Sequence, residues 1–167
     1  RETSRRRAQR KLSLAHGWND EALALLARFA DSFPVDARTP RAAAERAELL
    51  LRAGDMPAAS AAFEQALAIA RRAGADSVAR RAEQALPVCA FATAEAQVAA
   101  DSTQYERHAK LFAEVARRWP GFEHAPVAQY RAALAWLAAG HTAQGVRALG
   151  ELSERWPRHA LAREADL

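Results

Sequence analysis

The sequence predicts an all-α fold built from repeated helix–turn–helix units, and three observations carry that prediction. Turn positions, mostly glycine, punctuate helical patterns at a recurring spacing: Gly17 to Gly54 is 37 residues, and Thr103 to Gly140 is again 37. Aromatic–proline pairs, Phe33-Pro34, Trp119-Pro120 and Trp156-Pro157, close helices, with Pro120 and Pro157 also 37 apart. Between these marks Ala, Leu, Arg and Glu dominate, all helix formers, and strand-rich stretches are absent. Glycine suits the left-handed residue of a tight turn between helices. A residue before proline is disfavoured in the helical region, so each aromatic–proline pair stops a helix.

Each unit follows from these marks. The first, about residues 3–36, places two helices around Gly17, with the small Ala22 five residues and Phe29 twelve residues after it. The second, about 38–73, repeats this around Gly54, with Ala59 and Ala66 at the same offsets. Small residues there let paired helices approach closely. The third, about 76–122, is longer. Gly54 to Thr103 spans 49 residues, twelve more than its neighbours, which is three additional helical turns. Asp76 and Ser77 can cap a helix start, the apolar pattern runs on to Ala100, and Pro87 stands inside it. One long helix kinked at Pro87 is expected; the alternative is two shorter helices parted at Leu86-Pro87. The fourth unit, about 124–158, turns at Gly140. Arg158 to Leu167 reads as the opening of a further helix, so residues 1–167 read as one repeat domain within a longer chain.

The formal charge of +4 is unevenly placed. Residues 1–15 hold Arg1, Arg5, Arg6, Arg7, Arg10 and Lys11 against Glu2 alone, which leaves the remainder one charge negative. A local basic segment on a near-neutral body argues against a general affinity for nucleic acid. Cys89 is the only cysteine, which excludes an internal disulfide, and in the apolar run Leu86 to Phe91 it reads as a buried small hydrophobe. No apolar run approaches the roughly twenty residues that span a bilayer, and nothing reads as a signal peptide.

The unit AAAERAELLLRAGDMPAASAAFEQALAIARR, with Ala47, Gly54, Ala59, Phe63 and Ala66, resembles the tetratricopeptide repeat, a helix–turn–helix unit of about 34 residues. The last unit keeps Ala133, Trp136, Gly140 and Pro157. Arg71 stands where the family's proline is usual, and Gly145 and Leu152 replace two later alanines. The longer period and aromatic–proline endings, as in RRWPGFEHAPVAQYRAALAWLAAG, are similar to repeats of bacterial envelope proteins such as the BamD and CpoB families. The resemblance implies a right-handed α-α superhelix, a solenoid of about four units that binds other proteins. It also implies a place in a bacterial envelope or membrane-associated assembly, periplasmic or outer-membrane-associated rather than cytoplasmic.

Catalysis needs converging polar side chains, and the sequence sets out none. His16, His108, His124, His141 and His159 include no pair three or four apart, the spacing of zinc ligands on one helix face. There is no strand-borne phosphate loop and no GxSxG elbow. Neither enzymatic activity nor a metal or cofactor is expected. Phe33, Trp119 and Trp156 recur beside proline and read as packing wedges, Trp136 as a core residue, and Trp18 beside its turn as partly exposed.

In tetratricopeptide proteins the first helices of successive units line a groove. Carried over by position, the resemblance places partner contacts at Arg7 and Lys11, at Arg41, Ala44, Glu48 and Arg52, at Thr93 and Gln97, and at Tyr130 and Leu134. Such a groove, basic at one end and apolar at the other, suits another protein or peptide, with acidic residues at the basic end where arginine offers paired hydrogen bonds. Lys11 and Glu45 stand where chaperone-binding relatives carry asparagines, which disfavours that mode. The alternative function is a regulatory module whose basic run RRRAQRK contacts nucleic acid or an anionic membrane surface while the repeats bind an effector. Steep salt dependence would mark it.

Overall fold

The computed structural model describes residues 19–165, which form eight helices and no strand. They are α1 (19–32), α2 (Thr39–Ala53), α3 (Met56–Ala73), α4 (Asp76–Ala100), α5 (Tyr105–Arg118), α6 (Ala125–Ala138), α7 (Thr142–Arg155) and α8 (Ala160–Ala165). The chain divides into two compact units, residues 1–86 and 87–167. No helix among the described residues is long and apolar enough to cross a membrane.

Glycine makes the tight reversals. Gly54 and Gly140 both adopt φ 81°, which an L side chain avoids because its Cβ crowds the next carbonyl. Around Gly54 the Asp55 N–H donates to the Leu50 carbonyl at 3.1 Å, and around Gly140 the His141 N–H donates to the Trp136 carbonyl at 2.9 Å. This six-residue bond satisfies a carbonyl that the helix end would otherwise orphan. A third turn of the same kind lies outside the 37-residue period: Gly74, at φ 66°, reverses α3 into α4, with the Ala75 N–H on the Ala70 carbonyl at 2.8 Å. The Asp55 carboxylate accepts from the Ala58 N–H at 3.0 Å and so caps α3.

The aromatic–proline joints share one hydrogen-bond pattern. After Phe33, Trp119 and Trp156, the N–H three residues on returns to the aromatic residue's carbonyl, and the N–H three further on bonds that residue's carbonyl in turn. The bonds are Asp36 to Phe33 and Thr39 to Asp36, Phe122 to Trp119 and Ala125 to Phe122, and His159 to Trp156 and Ala162 to His159. Two short turns thus replace the helical bonds that proline interrupts. They deliver a small residue into the core each time: Thr39, Ala125 and Ala162 are all buried.

The two units fill their interiors differently. In unit 1, Ala43 and Ala44 of α2 pack against Ala66 of α3, flanked by Ile69 and Val78, and Phe63 and Leu86 are the large apolar side chains buried there among the described residues. In unit 2, Phe91 and Ala94 of α4, Phe112, Val115 and Ala116 of α5, and Ala128 and Ala132 of α6 form the core. Trp119, Phe122 and Trp156 pack on its edge. A fully buried phenylalanine contributes roughly 1.5–3 kcal/mol by leaving water. Cys89 is buried as expected, and desolvation pushes its thiol pKa up.

The long first part of the third unit, residues 76–100, is one continuous helix, α4, of 25 residues with Pro87 inside it. The two-helix alternative does not form. Pro87 leaves the Glu83 carbonyl without its helical donor, and the division between the units falls at this residue. The added length lies in α3, of 18 residues, and α4, against 14 in each of α5, α6 and α7.

Two aromatic expectations need correction. Phe33 is not a buried wedge: it is 53% exposed and meets Phe29 with ring centroids 5.3 Å apart. Trp136 is only half-buried, its ring edge-on to His141 at 5.4 Å. Trp18 and Gly17 lie outside the described residues.

The units nevertheless share one register. Residues 19–32 and Tyr105–Arg118, Thr39 and Ala125, and Gly54 and Gly140 are each 86 apart, so α1–α3 and α5–α7 repeat one order of helices, joint and turn along the chain.

Candidate functional site

The largely apolar groove of unit 2 is built from the second half of α4, the start of α5 and the end of α6, and encloses about 540 Å³. Tyr105, His108 and Phe112 enter from α5 at spacings of three and four, which place them on one helical face. Val98 comes from α4 and Leu134 from α6, the positions to which helical periodicity brings apolar groups at an inter-helix seam. Tyr105 and Leu134 remain 43% and 45% exposed, so apolar surface is open to a visitor.

A charged lip closes one side. Arg131 of α6 donates from Nη1 to the Glu95 carboxylate of α4. Its guanidinium carbon lies 5.3 Å from the Phe91 ring centroid and 5.5 Å from that of Phe112. Cation–π attraction and the ion pair together hold this long side chain over the aromatic core, although a half-exposed pair contributes no more than about 1 kcal/mol. The groove therefore offers an apolar floor beside one cation and one anion, an arrangement that recognises an amphipathic surface. Among the described residues no group of three or more His, Cys, Asp or Glu is placed to hold a metal.

The structure distributes the predicted contact residues unevenly. Arg7 and Lys11 lie outside the described residues. On α2, Arg41 and Arg52 are exposed, Arg41 bonding Glu45 one turn on at 2.9 Å. Glu48 is half-buried and held by Arg81 of α4, with 2.6 Å between Nε and Oε1. Ala44 is a correction: it is 4% exposed within the Ala43–Ala66 cluster and presents no surface to a partner. Thr93 spends its hydroxyl on the Cys89 carbonyl at 2.8 Å, and Gln97 has a buried Oε1 without a hydrogen-bond partner. Tyr130 is half-buried, and of all these residues only Leu134 lines the groove.

Sequence reasoning missed the α5 face because positional transfer takes first helices alone, and it missed Glu95 and Arg131 because they fall between the transferred positions on α4 and α6. The signal was available in the spacing of Tyr105, His108 and Phe112, which marks a continuous apolar and aromatic face on a helix that is otherwise charged. Compared with known proteins, the chain matches no protein-family model and no curated protein.

Proposed function

We propose that this chain is a tetratricopeptide-type repeat scaffold that binds a partner protein or peptide, with the unit 2 groove as its seat. The observation that carries the reading is that groove: an open apolar cleft of about 540 Å³, rimmed by the Arg131–Glu95 pair and floored by rigid aromatics. Such a surface retains an apolar side chain and orients a flanking charge, the division of labour typical of protein contacts. The recurring joints and glycine turns support a repeat architecture, in which stacked units extend as a solenoid. A place in a bacterial envelope or membrane-associated assembly rests on the resemblance of the aromatic–proline endings alone.

The test is affinity capture of partners by the full-length protein with mass-spectrometric identification, repeated with Leu134→Asp. Leu134 is exposed, so the substitution spares the core while placing a desolvated charge in the groove. A specific partner lost with Leu134→Asp and retained with Arg52→Glu supports the reading. Partners captured equally by both variants refute the groove as the seat.

A further inference from the structure

Unit 2 fills the space beneath its α5–α6 joint with its own side chains. Pro120 has no N–H, so the Ala116 carbonyl lacks a helical donor, and Arg155 Nη2 donates to it at 3.0 Å. Trp156 Nε1 donates to the Pro120 carbonyl at 3.2 Å. The two side chains stack, with the Arg155 guanidinium carbon 4.5 Å from the indole centroid.

Unit 1 repeats the acceptors and omits the donors. Pro34 deprives the Ala30 carbonyl of its helical donor in the same way. At the 86-residue offset Arg155 becomes Ile69 and Trp156 becomes Ala70, which is fully buried because α3 continues to Ala73 where α7 stops. No described residue donates to the Ala30 or Pro34 carbonyl, and a cavity of about 760 Å³ stands there, lined in part by Ala30, Asp31, Pro34, Thr39 and Ile69. Beside it lie two exposed apolar side chains, Val35 at 98% and Phe33 at 53%. The cavity wall carries the Asp31 and Asp36 carboxylates and one cation, Arg72, with Asp36 bonded by Arg38 and Arg72 donating to the Ala68 carbonyl at 3.3 Å.

We propose that this pocket is a second docking site, which takes an arginine–tryptophan pair from a partner protein in the place that Arg155 and Trp156 fill within unit 2. The guanidinium bonds the Ala30 carbonyl beside Asp31, the indole N–H bonds the Pro34 carbonyl, and the ring covers Val35 and Phe33. Ala30 and Pro34 both line the cavity, and tryptophan and arginine are enriched among the residues that dominate protein interfaces. The site is separate from the unit 2 groove, so either can fail without the other.

The test is titration of the full isotope-labelled chain, followed by amide NMR, with a capped peptide copying Ser153–His159. Saturable shifts at Ala30, Thr39 and Ile69 are expected, weakened at least about tenfold when alanine replaces the peptide's arginine and tryptophan at 155 and 156, a loss of about 1.4 kcal/mol. Ile69→Arg, which supplies the guanidinium internally, abolishes these shifts. Because Ile69 also packs on the core, the exposed Asp31→Lys provides a second variant and weakens binding about tenfold by placing a cation against the guanidinium. The proposal is overturned by an absence of saturable unit 1 shifts at millimolar peptide, by equal shifts with the alanine peptide, or by full binding to folded Ile69→Arg or Asp31→Lys. It is equally overturned if the pocket responds to self-association of the chain, or to residues 1–18, and not to the peptide.

Discussion

Units 1 and 2 lay the same three-helix register over two different fillings. At equivalent positions Ala43 corresponds to Gln129, Ala66 to Leu152, Phe33 to Trp119, and Asp36 to Phe122. The backbone tolerates this because its joints are fixed by their own hydrogen bonds: both units repeat the aromatic–proline pattern and both reverse at a glycine with φ 81°. The fillings then decide what each unit does. Unit 2 closes its joint with Arg155 and Trp156 and opens a groove elsewhere, whereas unit 1 leaves its joint hollow. Register therefore belongs to the joints and binding character to the side chains between them.

The largest expected effect comes from reciprocal swaps at the Ala66–Leu152 position. Leu152 is fully buried, so Leu152→Ala costs about 2–5 kcal/mol in thermal or denaturant unfolding. Ala66→Leu overpacks an alanine seam and costs about 1–3 kcal/mol. Indifference to both swaps would break the claim that the fillings are specific to their units.

Next is Gln129, buried at 3% exposure, whose Nε2 donates to the Ala148 carbonyl at 3.0 Å and to the Glu151 carboxylate at 3.2 Å. Gln129→Ala removes both bonds and leaves a void, for a cost of about 1–3 kcal/mol, read as lost amide-exchange protection in α6 and α7. Its counterpart Ala43→Ser, in unit 1, should stay within about 1–2 kcal/mol, the burial cost of one hydroxyl that finds a partner in its own helix.

Gly54→Ala and Gly140→Ala sharpen the comparison at smaller scale. Both glycines have the same φ, and no atom lies within 4 Å of the point where an alanine methyl would stand. Crowding therefore adds nothing, and each substitution costs about 1–2 kcal/mol of backbone strain, equally in the two units. A cost confined to one unit would contradict a shared register.

The smallest effect is acid sensitivity, again matched between units. Hydrogen bonds from Arg38 hold the Asp36 carboxyl at a pKa of about 2, and those from Thr103 and Gln104 hold Asp101 at about 2. A carboxylate whose folded pKa lies below its ordinary 3.8 contributes stability above pH 3.8 that is lost as the pH falls towards 2. Unfolding midpoints should fall across that window, and Asp36→Asn with Asp101→Asn should flatten the decline.

The helical class, the long helix through Pro87 and the turns at Gly54 and Gly140 were legible because periodicity and backbone-restricting residues act locally. Gly74 was not, since it lies off the repeat period and is required only because Arg71, in proline's usual place, lets α3 run on. Ala44 and Phe33 were misplaced by positional transfer: the same register position is buried or exposed according to what stands opposite, which is a tertiary fact. The groove was half legible. Leu134 followed from the repeat, but the Arg131–Glu95 lip joins residues 36 apart in the sequence and has no local signature.

If the joints set the register independently of what fills the units, one joint should serve in place of the other. The most direct test replaces residues 33–39 with the sequence of residues 119–125, seven residues for seven, and follows helix content and amide-exchange protection in α1–α3. Unchanged helix content and retained protection across α2 and α3 are expected, because both segments carry the same backbone hydrogen bonds. Loss of protection throughout α1–α3, with α5–α7 intact, would contradict joint-set register.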